Sequence, residues 1–221
     1  MSKNVITPPD ALLLTTPGCP HCPTVLRGLD DLVNKGLIGK LEVVDIALHP
    51  ERAAEFNVRA APWVKLGPFE LEGLRSPAEL RSWAQRANSM TGTARYFEEL
   101  LKEGKLDKVI QFVKDQPDAI EALLILASDK DAELIIRIGV SAIIESYEAT
   151  EILNNHFDSL RALSENEDSR VRSDACHFLS LTHNPEAIKI LKDLTQDPER
   201  SVRDVAVESL EDIQEEINKY H

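Results

Sequence analysis

Cys19-Pro20-His21-Cys22 follows the apolar run Ala11-Leu12-Leu13-Leu14-Thr15 and precedes a stretch in which Val25, Leu29, Leu32 and Val33 recur at helical spacing up to Gly36. The pattern predicts a strand, a turn and a helix, with a dithiol at the junction. A helix start leaves backbone N–H groups without partners and carries the positive end of the dipole, so a thiolate placed there is stabilised and its pKa falls. Cys19, at the edge of the turn, is therefore the expected nucleophile. Cys22 stands within disulfide reach of it and is the expected resolving thiol. Pro20 fits the first helical position, where its missing N–H costs nothing. Two other readings of the pair exist. A structural zinc site needs about four ligands, whereas the chain has three cysteines and the third, Cys176, is remote in sequence. Two unrelated buried cysteines would leave the intervening proline and histidine unexplained.

Charge divides the chain. Residues 1–90 carry 10 Lys+Arg and 10 Asp+Glu, whereas residues 91–221 carry 15 and 28, so the formal net charge of −13 arises in the second part. This asymmetry predicts one domain over 1–90 and an acidic one over 91–221. So acidic a surface repels phosphate backbones and anionic lipid, which speaks against nucleic-acid and membrane partners. The acidic residues either keep a helical array soluble or select a partner. With 43% hydrophobic residues the chain can bury a full core. It shows neither a basic, apolar leader pattern nor a run of about 18 apolar residues, so a soluble, cytoplasmic protein is expected. A permanent structural disulfide is disfavoured in that setting, and a paired dithiol there points to redox chemistry or metal binding.

The first part alternates elements. A second strand is read at Leu41-Glu42-Val43-Val44-Asp45-Ile46, and His49-Pro50 opens a short helix through Phe56. Trp63-Val64-Lys65-Leu66 and Glu70-Leu71 read as strands joined at Gly67-Pro68, and Ser76-Pro77-Ala78-Glu79 is a capping box that starts a helix through Leu80 and Trp83. The order is β-α-β-α-β-β-α.

That order, with Cys-x-x-Cys at the first strand–helix junction, resembles the thioredoxin superfamily over about residues 10–88. Val58-Arg59-Ala60-Ala61-Pro62 resembles the segment that enters the third strand of thioredoxins through a cis-proline. The resemblance implies that Pro62 is that cis-proline, beside the disulfide, and that Ala61 pairs its backbone with a substrate peptide. Read from the residues alone, Pro62 is simply a proline tolerated at the first position of a strand, and the cysteines are what favour the cis reading. Trp63 stands where a small or polar residue is commoner in the family, which implies a more aromatic peptide groove. Leu13 occupies the place of the buried acid that assists proton transfer in thioredoxins. The glutathione-holding pattern of glutaredoxins is not evident around Leu71-Glu72-Gly73-Leu74-Arg75. If Cys19 caps the helix, Pro23 removes its first intrahelical N–H and the first turn must adjust. The Pro-His pair between the cysteines is similar to that of the strongly oxidising DsbA-type proteins. Physically, His21 can offer an imidazole N–H or a positive charge to the Cys19 sulfur and stabilise the thiolate, or it is an inert exposed residue.

Beyond about Thr91 the spacing becomes helical throughout. Gln116-Pro117, Asn184-Pro185 and Asp197-Pro198 read as helix starts, and apolar residues such as Leu106, Val109, Ile110 and Val113 recur at helical spacing. Asp131…Ile136-Arg137…Val140…Ile144 aligns with Asn166…Val171-Arg172…Ala175…Leu179 and with Asp197…Val202-Arg203…Ala206…Leu210, at periods of 35 and 31 residues. This region resembles HEAT-type repeats over about residues 106–218, which implies stacked helix pairs holding a partner on an extended surface. Asp197, Arg172 and Arg203 are expected to be scaffold, and Cys176 a packed small hydrophobe.

The expected fold is an α/β thioredoxin-like domain followed by an all-α HEAT-like domain. The expected activity is that of a thioredoxin-type protein-disulfide oxidoreductase. Its site residues are Cys19, Cys22, His21 and Pro20, with Ala61, Pro62 and Trp63 meeting substrate, and neither cofactor nor metal is expected. Its partners are a protein disulfide, a protein or small-thiol electron donor, and a protein, basic if the acidic face selects it, on the helical array. The alternative is a non-catalytic or redox-sensing adaptor whose helical array is the working surface.

Overall fold

The computed structural model describes residues 7–219; the outermost ends of both expected domains, 1–6 and 220–221, lie outside the described residues. The chain forms two compact units, one ending at Thr93 and one beginning at Ala94.

The first unit is built on a four-stranded sheet, ordered β2-β1-β3-β4, from β1 (Ala11–Thr15), β2 (Leu41–Asp45), β3 (Trp63–Leu66) and β4 (Phe69–Glu72). β1 pairs with β2 in parallel and with β3 antiparallel, and β3 pairs antiparallel with β4. The parallel pair needs a crossover, supplied by helix α1 (Cys22–Asn34). Strand residues alternate between faces. On one face Leu12, Leu14, Val44 and Trp63 cluster under Ile46, Phe56 and Val58, the last two flanking the short helix α2 (Pro50–Glu55) at its C-terminal end. The opposite face meets α1, through buried Val25, Leu29 and Leu32, and helix α3 (Pro77–Arg86), whose Trp83 meets Phe69 edge-on at 5.1 Å. α3 starts with both bonds of its capping box: the Glu79 amide donates to Ser76 Oγ (3.2 Å) and the Ser76 amide to Glu79 Oε2 (2.8 Å).

Everything after β4 is helical among the described residues. Helix α4 (Met90–Lys102) is followed by α5 (Leu106–Asp115), a 3-10 turn at Pro117–Ala119, α6 (Ile120–Ser128), α7 (Leu134–Glu145), α8 (Glu151–Asn154), α9 (Phe157–Ser164), α10 (Ser169–Ser180), α11 (Pro185–Leu194) and α12 (Arg200–Lys219). Two proline-led starts differ from expectation. Pro117 opens only the 3-10 turn before α6, and Pro198 lies two residues ahead of α12, where the Asp197 side chain accepts the Glu199 amide (2.8 Å) and turns the chain first. Pro185 does open α11, capped by Asn184. The pairs α6/α7, α9/α10 and α11/α12 pack together, and α10 also meets α7 and α12.

The repeat has a bonding rule. Arg172 Nη1 donates to the carbonyls of Asn166 (2.8 Å) and Glu167 (3.0 Å), and Arg203 Nη1 donates at the same offsets to those of Asp197 (2.6 Å) and Pro198 (2.9 Å). Arg172 also forks onto Asp197, Nε to Oδ2 at 2.8 Å and Nη2 to Oδ1 at 2.9 Å, tying one repeat to the next. The first aligned copy departs from this. Arg137 reaches Asp174 on α10 (2.6 Å), and Asp129, in place of Asp131, accepts the turn amide (2.9 Å). No helix among the described residues is long and apolar enough to cross a membrane.

Candidate functional site

The dithiol sits where β1 runs out. Thr16-Pro17-Gly18-Cys19 forms a tight turn: the Cys19 amide donates to the Thr16 carbonyl (3.2 Å), and Gly18 adopts φ +76°. Proline at the second position and a left-handed glycine at the third are the signature of a type II turn. This Pro-Gly step places Cys19, and the sequence reading passed over it although the dipeptide is a recognised turn signal.

Cys19 and Cys22 form a disulfide with their Cα atoms 5.6 Å apart. The helix begins later than the sequence reading placed it. His21 is the N-cap, its carbonyl accepting from Thr24 (3.1 Å) and Val25 (3.2 Å), and Cys22 is the first helical residue. Pro20 therefore precedes the helix and does not occupy its first position. The reason is Pro23: lacking an N–H, it must fall where no intrahelical partner is wanted, and a start at Cys22 puts it in the first turn. The predicted distortion is thereby avoided.

A start at Cys22 also makes its amide the first unclaimed donor of α1, and that amide points at Cys19 Sγ from 3.1 Å. A donor aimed at sulfur from a helix N-terminus favours the thiolate over the thiol. Accessibility distinguishes the two sulfurs in the same sense. Cys22 is 7% exposed, Cys19 is half-buried, and Pro20 and His21 are exposed. On β1 Leu13 is wholly enclosed, so an aliphatic chain fills the strand position at which thioredoxins carry an acid.

The second segment arrives at the same end of the sheet. Leu14 pairs with Trp63, so the chain leaving β1 for Cys19 and the chain entering β3 through Ala61 and Pro62 meet there. The Ala61–Pro62 peptide bond is cis; Pro62 is buried, its carbonyl accepting from Gly73 (2.9 Å), and Ala61 is half-buried. Trp63 requires a correction. Its side chain is 1% exposed and packs against Phe56 at 5.0 Å between ring centroids, so the indole belongs to the core and lines no peptide groove.

A thioredoxin from Methanocaldococcus jannaschii is 30% identical to this chain over 63 residues, which are 28% of the chain and 74% of that thioredoxin. The chain belongs to the thioredoxin family. Its thioredoxin domain carries the Cys19–Cys22 pair at the first strand–helix junction. A family model described as HEAT repeats matches residues 153–211, the stretch that contains the two copies with the shared arginine bonding. The fold class is thus a thioredoxin-like domain with helical repeats behind it.

In those repeats Arg172 and Asp197 are scaffold: both are largely enclosed, and the Arg172 guanidinium holds the Asp197 carboxyl below its usual range. The third thiol is enclosed. Cys176 is fully buried on α10, and burial pushes its pKa up to about 12, so little thiolate exists near neutrality.

Proposed function

We propose that this chain is a protein dithiol–disulfide oxidoreductase of the thioredoxin type, acting in the cytoplasm, and that its HEAT repeats choose the protein it serves. The observation that carries this reading is the Cys22 amide 3.1 Å from Cys19 Sγ at the start of α1. It supports Cys19 as the attacking thiolate and the enclosed Cys22 as the thiol that follows.

In the reducing direction, the Cys19 thiolate attacks one sulfur of a substrate disulfide. A Cys19–substrate disulfide forms, and the other substrate sulfur leaves as a thiolate and takes up a proton. Cys22 then gives up its proton and attacks the Cys19 sulfur, which closes the Cys19–Cys22 disulfide and releases the second substrate thiol. Two electrons pass from the pair to the substrate, and of the two protons its thiols take up, one matches that given up by Cys22 and the other comes from the medium. An external dithiol or small thiol resets the pair. Ala61, at the entry to β3, offers backbone to the substrate, and His21, exposed and set between the two cysteines in the chain, favours the Cys19 thiolate and so the reduced pair. The HEAT repeats themselves carry no redox chemistry and support the adaptor reading as well.

Cys22→Ser decides between the two. With resolution blocked, the expected outcome is a set of covalent complexes, released by reductant, that vanish when Cys19 is also replaced. No trapped partner, together with no disulfide-reductase activity of the wild-type protein, would leave the adaptor.

A further inference from the structure

Helix α7 buries one side, through Ile136, Val140, Ile143 and Ile144, and leaves another bare. Leu134, Ile135 and Ile138 are 73%, 52% and 57% exposed. Leu134 and Ile138 lie one above the other at i, i+4, and the inner side of α7 already packs its own apolar set, so this ridge contributes nothing to the core. It borders an open groove of about 710 Å³ whose far wall is Arg170 and Asp174 at the start of α10; the whole lining lies within the helical unit. Both guanidinium groups of the groove are committed within the chain, Arg137 to Asp174 at 2.6 Å and Arg170 to Asp168 at 2.9 Å. Around them the unit is acidic, with 15 Lys+Arg against 28 Asp+Glu in residues 91–221; exposed Asp131 flanks the ridge together with Glu133, bridged to Lys102 at 2.7 Å, and Glu145, which meets His177 at 3.0 Å.

An apolar ridge on so acidic a surface selects among occupants. A second copy would bring the same negative field against itself, and an anionic membrane would do likewise. A helix with an aliphatic face and lysine or arginine on its flanks satisfies both features, apolar contact on the ridge and charge attraction at the rim. We propose that the α7–α10 groove docks a basic amphipathic helix of a protein partner, its aliphatic face covering Leu134, Ile135 and Ile138. This deepens the reading that the HEAT repeats select a partner and does not depend on the dithiol.

The test titrates the full-length protein into a labelled helical peptide with leucine at i, i+3, i+4 and i+7 and lysine elsewhere, beside the same peptide with glutamate for lysine. The lysine peptide should bind and the glutamate peptide should not. Ile138→Asp is the discriminating variant: it adds negative charge, so attraction by charge alone would tighten, whereas docking on the ridge should weaken roughly tenfold or more. Leu134→Asn, which leaves charge unchanged, should weaken binding in the same direction and serves if Ile138→Asp fails to fold. Unchanged or tighter binding by these variants would overturn the proposal. So would equal binding of the glutamate peptide, or a dimer of the wild-type chain that Ile138→Asp dissolves. Disulfide-reductase activity on a small substrate, measured in the same variants, should not change. Its absence in every protein, wild type included, would count against the oxidoreductase reading and not against the groove.

Discussion

Gly18 holds φ +76° with open space where a Cβ would stand, so Gly18→Ala tests the backbone alone. A left-handed alanine costs roughly 1–2 kcal/mol, and that loss is the expected drop in unfolding free energy of the oxidised protein, read from urea titration. His21 is tested by potential. Replacing it with Tyr removes the exposed imidazole and should make the couple more reducing by about 30 mV or more, a shift equivalent to about 1.4 kcal/mol, measured against a glutathione redox series; an unchanged potential would remove His21 from the site. At this scale the sequence was partly legible. Two thiols around a proline and a histidine after an apolar strand admit few folds. The fate of Trp63 was not legible, because which face an aromatic residue takes at a strand start depends on Phe56, and only the folded sheet brings the two together.

Among the elements, the joint between repeats has the clearest energetic consequence. Asp197 does two things: its carboxylate receives the Arg172 fork and it turns the chain by accepting the Glu199 amide. Asp197→Asn keeps an acceptor for the turn, as Asn166 does in the preceding copy, but removes the charge. Asp197→Ala removes both. The expected order of stability is wild type, then Asn, then Ala, with the alanine variant down by about 2 kcal/mol or more, read from thermal or denaturant unfolding. The pH dependence follows the same contact. Arg172, chiefly by hydrogen bonding, depresses the carboxyl's pKa in the folded protein, so the stabilisation is complete above the unfolded value of about 3.9 and drains away as pH falls through the folded one. Arg172→Ala should therefore be less stable than the wild type near neutrality but lose less further stability on acidification, so the two stability curves converge as pH falls through the wild-type folded value. Helix periodicity made α5 through α12 legible as helices. Their starts were less so, because an Asx turn at Asp197 competes with the proline that follows, and because Pro23 shifts the start of α1 to the position where a missing N–H does no harm.

For the molecule as a whole, charge and periodicity predict one domain over 1–90 and an acidic one over 91–221. An α/β alternation with a balanced charge gives way to an acidic, all-helical stretch, and the two compact units part at Thr93 and Ala94. The ridge on α7 was invisible to the same reasoning, since Leu134 and Ile135 run straight into Ile136, with Ile138 just beyond Arg137, and so dense an apolar stretch does not show which of them face outward. The enclosed Leu13 bears on how the molecule trades protons with its surroundings. Each turnover of the proposed cycle must carry the Cys22 proton away, and the strand that leads to the disulfide holds an enclosed aliphatic side chain where the family keeps a carboxylate. Resolution then relies on base dissolved in the medium. Its rate should climb with buffer concentration at fixed pH, and Leu13→Asp should flatten that climb by supplying an internal acceptor, a dependence that stopped-flow measurement across a buffer series would expose.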